Sequence, residues 1–118
     1  MVTVIIPTYN RAHLVTEALD SVYEQTYRSI ECIVVDDGSN DDTDEVVEGW
    51  KRAHTSDGFR TRLLRQENQG APAARNHGMV TAQGDYLLFL DSDDVLPRDA
   101  VNTLRQTITT EGVDAAYG

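Results

Sequence analysis

Tyr86-Leu87-Leu88-Phe89-Leu90-Asp91-Ser92-Asp93-Asp94 is the stretch whose reading decides the fold. An unbroken apolar run, with no polar alternation, reads as a strand buried on both faces. Strands of that kind belong to parallel sheets, whose crossover helices cover the two faces. Binding and chemistry in such sheets gather in the loops beyond the carboxyl ends of the strands. Here the strand runs directly into three carboxylates within four residues.

Working outward, further short apolar runs alternate with helical periods. Val2 to Ile6 reads as a buried strand, and Ile30 to Val35 as another, rich in β-branched residues. A third strand is expected near Thr61 to Arg65. Leu14, Ala18, Leu19 and Val22 share one face of a first helix. Asp41, Asp42, Asp44 and Glu45 crowd the start of a second, where carboxylates meet the positive end of the helix dipole, and it runs to about Ala53. Pro72 suits the first turn of a third helix and Gly84 its end. Pro97 is expected to start a last helix, with Val101, Leu104 and Ile108 inward and Gly112 as its stop. Val113 to Tyr117 would begin a fifth strand. The expected architecture is α/β: a mostly parallel sheet with helices on both faces, in one domain spanning residues 1–118.

Composition narrows the function. The chain has 118 residues and a net charge of −10, with Lys51 as its one lysine and 13 aspartates among 20 acids. So acidic a surface repels nucleic acid and anionic membranes. The scarcity of lysine suggests adaptation to high salt, where screening relieves repulsion among carboxylates. No apolar run approaches the roughly 18 residues of a membrane span, and Val2 to Ile6 is too short for a signal peptide. Cys32 lies in an apolar run and reads as a buried, inert thiol, which suggests a reducing, cytoplasmic setting. His13, His54 and His77 lack the spacing of a zinc site.

The strand-end loops carry the chemistry. Asp91, Asp93 and Asp94 repel one another unless a hard cation sits among them, and Mg²⁺ typically takes one or two carboxylates plus substrate phosphates. The alternative is a helix cap ahead of Pro97, but a cap uses one acid and leaves the others unexplained. Asp36-Asp37-Gly38-Ser39 ends the second strand. A carboxylate there either accepts hydrogen bonds from a base or ribose, or only satisfies backbone N–H groups of its own turn. Gly70 to Gly78 opens a helix with small residues. Arg75 on it either reaches an anionic ligand or is a surface arginine on a packing helix.

Taken together, these segments resemble the family 2 glycosyltransferases of the GT-A fold. The resemblance rests on Val4-Ile5-Ile6-Pro7-Thr8-Tyr9-Asn10, on Val34 to Ser39 with Asp42-Thr43, on Gly70 with Ala74 to Gly78, and on Leu90 to Asp94 with Pro97. It implies a Rossmann-like half that binds a nucleotide sugar. Pro7, Thr8 and Tyr9 would line the nucleoside pocket, with Asp37 hydrogen-bonding the base and Arg75 near the nucleotide. Asp91 would contact the ribose or the metal-bound phosphates, and Asp93 would bind Mn²⁺ or Mg²⁺, with Asp94 a further candidate ligand. The reaction implied is inverting transfer of a sugar from a nucleoside diphosphate, UDP favoured, to a hydroxyl of a glycan, lipid or protein. In that family the base that deprotonates the acceptor lies well past the Asp-x-Asp strand, and here it is expected beyond Gly118. The 118 residues by themselves are therefore expected to bind donor without transferring sugar, and an open sheet edge suggests self-association.

Two rival readings are weaker. Asp91-Ser92-Asp93-Asp94-Val95 also fits the nucleophile motif of haloacid dehalogenase-like phosphatases, with Asp91 attacking phosphate. That family needs a lysine after the motif, and none follows Val95. A nicotinamide dehydrogenase would need glycines after the first strand, where Pro7-Thr8-Tyr9-Asn10 stands instead.

Overall fold

The structure is a computed structural model, described here over residues 1–111. Four strands, β1 (Val2–Thr8), β2 (Ile30–Asp36), β3 (Phe59–Arg65) and β4 (Tyr86–Phe89), alternate with α1 (Val15–Tyr23), α2 (Thr43–Ala53), α3 (Ala71–Thr81) and α4 (Ala100–Glu111). The strands form one sheet in the order β3-β2-β1-β4, and every neighbouring pair is parallel. All four carboxyl ends therefore point the same way.

Alternation along the central strands sorts their side chains between two cores. Val2, Val4 and Ile6, with Ile30, Cys32 and Val34, pack against α1, α2 and Val101 of α4. Ile5, Ile33 and Val35 form a smaller core beneath Ala74 of α3. Helices thus lie on both faces, as the sequence implied, but one core is much the larger. On α3, a Cβ at Gly78 would stand 2.6 Å from Ile5 Cγ2, so a glycine lets the helix settle onto the sheet. Glu31, fully buried between β1 and β3, is satisfied by the Thr3 hydroxyl at 2.9 Å, the Gln83 N–H at 2.9 Å and Arg60 at 3.3 Å. Beside it the Cys32 thiol is pushed up to about 12, by burial first and the Glu31 charge second, which keeps it inert.

Several expectations shift. β4 is not buried on both faces: Leu88 is buried, while Tyr86, Leu87 and Phe89 are half-buried, because among the described residues β4 pairs only with β1. Helix α3 ends at Thr81, so Gly84 is not its terminus. Gly84 instead passes against β1, where a Cβ would stand 2.5 Å from Thr3 Oγ1. The chain from Pro97 forms a turn first, with the Ala100 N–H bonded to the Pro97 carbonyl at 3.1 Å, and α4 starts at Ala100. Strand β3 begins at Phe59, two residues before the expected Thr61. The inward side chain expected at Ile108, the stop at Gly112 and the strand from Val113 to Tyr117 lie outside the described residues and side chains.

Candidate functional site

The site begins where β1 stops pairing with β4. The last bond between them runs from the Leu90 N–H to the Ile5 carbonyl at 3.0 Å. Pro7 is the next residue of β1 facing that side, and proline has no N–H to offer. The chain after β4 parts from β1 there, and a cleft opens between the strand ends.

Hydrogen bonds between loops build the floor. Past β1, Asn10 takes a positive φ of 52°, a conformation asparagine tolerates. Its N–H donates to Ser39 Oγ at 2.8 Å, and its side-chain oxygen accepts from the Asn40 N–H at 2.7 Å. Ser39 in turn donates both its N–H and its hydroxyl to Asp36. Arg65, at the end of β3, donates to Asp36 at 2.6 Å, to Asp44 at the start of α2, and to the Ser39 carbonyl at 3.0 Å. Burial and the neighbouring Asp36 carboxylate push Asp44 up to about 6, against the pull of Arg65. One guanidinium therefore ties the end of β3 to the end of β2 and the start of α2.

Asp37 stands above this floor, 5% exposed. Its Oδ1 accepts from Gln66 Nε2 at 2.8 Å and the Gln69 N–H at 2.8 Å, and its Oδ2 from the Gly70 N–H at 2.9 Å. Burial raises its pKa, but the three donors outweigh burial and hold the carboxyl below its ordinary range. The backbone groups it satisfies belong to the loop after β3 rather than to its own turn. That loop lies so close that a Cβ at Gly38, where φ is +83°, would stand 3.0 Å from the Asn68 nitrogen.

Pro7, Thr8, Tyr9, Asn10 and Arg11 line a cleft of about 520 Å³ together with Asp37, Ala71, Asp91 and Asp93. A second cleft, about 510 Å³, is lined by Arg75, Asn76, Met79, Phe89, Asp91 and Asp94, among others. The two share Asp91. The expected donor residues Pro7, Thr8, Tyr9, Asp37 and Asp91 are thus brought together, whereas Arg75 lines the neighbouring cleft. Thr8 Oγ1 is buried and has no hydrogen-bond partner among the described residues.

Asp91, Asp93 and Asp94 are exposed, and each places a carboxylate oxygen within 4.8 Å of the others. A tight turn gathers them, closed by the Asp94 N–H on the Asp91 carbonyl at 3.0 Å. Among the described residues no arginine, lysine or histidine pairs with any of them. None caps α4 either, since that helix starts at Ala100. An all-oxygen set left without a positive partner fits a hard divalent cation.

Arg11, Arg65 and Gln66 also belong to the site, with neither residue type nor spacing to mark them in the sequence. Arg11 and Gln66 do sit in strand-end loops, which was the available signal. Arg65 ends a strand, and nothing local marks its partners, which lie 21 to 29 residues away.

Comparison with known proteins agrees with this geometry. The family model described as Glycosyl transferase family 2 matches residues 3–118. Glycosyltransferase GlyG of Streptococcus pneumoniae serotype 4 is 34% identical over all of this chain, which covers 38% of that protein. A GalNAc(5)-diNAcBac-PP-undecaprenol beta-1,3-glucosyltransferase of Campylobacter jejuni is 36% identical over 98% of the chain, which covers 37% of it. The chain thus spans less than two fifths of these relatives. Among solved structures, the mannosyltransferase PcManGT of Pyrobaculum calidifontis, in complex with GDP-Man and Mn²⁺, superposes with a TM-score of 0.84 at 35% identity over 91% of this chain and 32% of its own. TarS of S. aureus in complex with UDP-GlcNAc gives 0.82 at 30% identity, over 94% of this chain and 32% of its own. The phosphatase reading of Asp91 falls with these matches. By its sequence match, its GT-A-type parallel sheet and its strand-end site, the chain belongs to glycosyl transferase family 2.

Proposed function

We propose that this chain is the donor-binding half of an inverting glycosyltransferase and takes a nucleoside-diphosphate sugar, UDP-linked, together with Mn²⁺ or Mg²⁺. One observation carries the reading: Asp91 and Asp93 line the same cleft as Pro7, Thr8, Tyr9 and Asp37, and with Asp94 they form a cluster of acids that has no basic partner among the described residues. The nucleoside lies along Pro7, Thr8 and Tyr9, with its base toward Asp37. Asp91 stands where the two clefts meet, beside the ribose and the diphosphate.

Asp93 holds the cation, with Asp91 and Asp94 adjoining. Once bound, such a cation supplies positive charge against the leaving diphosphate. Arg75, from the neighbouring cleft, adds a fixed positive charge near the nucleotide. The carboxylates lining the two clefts among the described residues are Asp37, Asp91, Asp93 and Asp94, and each is committed to donor or metal. The base that takes the acceptor proton is therefore a group other than these four carboxylates, and the acceptor is a hydroxyl of a glycan, lipid or protein.

No helix of the described residues is long and apolar enough to cross a membrane. The buried, inert Cys32 thiol supports a reducing, cytoplasmic setting, and the edge that β4 presents among the described residues supports self-association of the 118-residue chain. The test is a nucleotide-release assay with Mn²⁺ and a panel of nucleotide sugars and acceptors. Donor binding without acceptor-dependent release is expected from these residues alone. Clear acceptor-dependent turnover would place the base within them.

A further inference from the structure

We propose that Gln66 and His77 set the base selectivity of the donor site by leaving the Asp37 carboxylate a single open acceptor position. The inference rests on the reading above, in which Asp37 meets the base. A carboxylate offers about four lone-pair sites, two on each oxygen. On Asp37, Oδ1 is filled by Gln66 Nε2 and the Gln69 N–H, while Oδ2 takes only the Gly70 N–H. One site remains, on Oδ2.

Bases differ in what they present to such a group. Uracil offers one ring N–H between two carbonyls, and one open position satisfies it. Guanine offers two adjacent donors, a ring N–H and an amino N–H, which together match a carboxylate with a free site on each oxygen. Here Oδ1 has none to give. The second guanine donor would be left without a partner on the carboxylate, which costs roughly tenfold in affinity.

Of the two groups that fill Oδ1, Gln69 contributes its backbone, so Gln66 is the side chain that closes the position. His77 fixes its orientation. A carboxylate cannot donate, so the amide nitrogen of Gln66 faces Asp37 and its oxygen faces away. That oxygen lies 3.2 Å from His77 Nδ1, which must then carry a proton and donate it. His77 on α3 thereby keeps Gln66 from swinging off Asp37. Gln66 and His77 act through Asp37 and are positioning residues, not catalytic ones.

The experiment is calorimetric titration of UDP and GDP, each with Mn²⁺, into the wild-type chain, Gln66→Ala, His77→Ala and Asp37→Asn. Binding of Mn²⁺-pyrophosphate is followed in parallel as a measure of the phosphate side alone. The wild type is expected to favour UDP by roughly tenfold. Gln66→Ala narrows that ratio severalfold by gaining GDP affinity, and His77→Ala narrows it less, while pyrophosphate binding holds. His77→Ala decides the matter if Gln66→Ala loses pyrophosphate binding and hence its fold. An unchanged ratio in a variant that keeps pyrophosphate binding, or a wild type that binds GDP as tightly as UDP, would overturn the selectivity role. If Asp37→Asn leaves UDP affinity untouched, the base contact itself is absent and both readings fall.

Discussion

Gly70 lies 33 residues beyond Asp37 in the chain, yet its N–H donates to Asp37 Oδ2 at 2.9 Å. Gly70 also precedes the first residue of α3 with a φ of +99°, a conformation that suits glycine. The carboxylate proposed to meet the base therefore also anchors the turn that starts α3, the helix bearing Arg75 and His77.

Asp37→Ala is expected to damage stability as well as binding. It leaves the part-buried N–H groups of Gln69 and Gly70 without their acceptor, at a cost of about 1 kcal/mol. Urea denaturation of the variant measures it. A loss below about 0.5 kcal/mol would mean that water replaces the carboxylate freely.

Asp93→Asn is expected to weaken metal-dependent nucleotide binding more than Asp94→Asn. The amide keeps the shape of the side chain and removes the charge a hard cation favours. Titration of Mn²⁺ and UDP into both variants ranks them. If Asp94→Asn is the more damaging, Asp94 rather than Asp93 is the principal ligand.

The pH dependence of stability carries a signature of Asp44. Its carboxyl is raised from 3.8 in the unfolded chain to about 6 in the fold. Below the lower value both states are protonated. Between the two, the folded state keeps a proton that the unfolded state has lost, so stability falls as pH rises, and above about 6 this contribution is flat. Asp37 works the other way: its lowered pKa gives stability present at neutral pH and lost as pH falls through its native value. Denaturation free energies of wild type and Asp44→Asn between pH 4 and 7 separate the two, since the variant should lack the decline toward pH 6. Parallel curves would remove Asp44 as the cause.

Salt offers a separate check on composition. With a net charge of −10 and a single lysine, the fold is expected to melt higher in molar KCl than in dilute buffer. A melting temperature unchanged or lowered by salt would count against adaptation to high salt.

Much of this site was legible because apolar runs ending in acids mark strand ends, and a parallel sheet brings strand ends together. Strand-end position singles out Asp37, Asp91 and Asp93, the family resemblance adds Pro7, Thr8 and Tyr9, and all six line one cleft. That logic failed where tertiary contacts override local preference. Gly84 looks like a helix end, but close approach to Thr3 explains it. Pro97 looks like a helix start, yet the chain first spends a turn bonded to Gln25, whose side-chain amide donates to the Pro97 carbonyl at 2.7 Å. The partners of Asp37 were hidden for the same reason: Gln66, Gln69 and Gly70 reach it from 29 to 33 residues away.

The central claim is that the acids at Asp91 to Asp94 and the Asp37 cleft bind metal and nucleotide as one site. Calorimetric titration of UDP into the chain, with and without Mn²⁺, tests it most directly. Mn²⁺ is expected to tighten UDP binding by roughly tenfold, or about 1.4 kcal/mol. Equal affinity with and without the metal would contradict it.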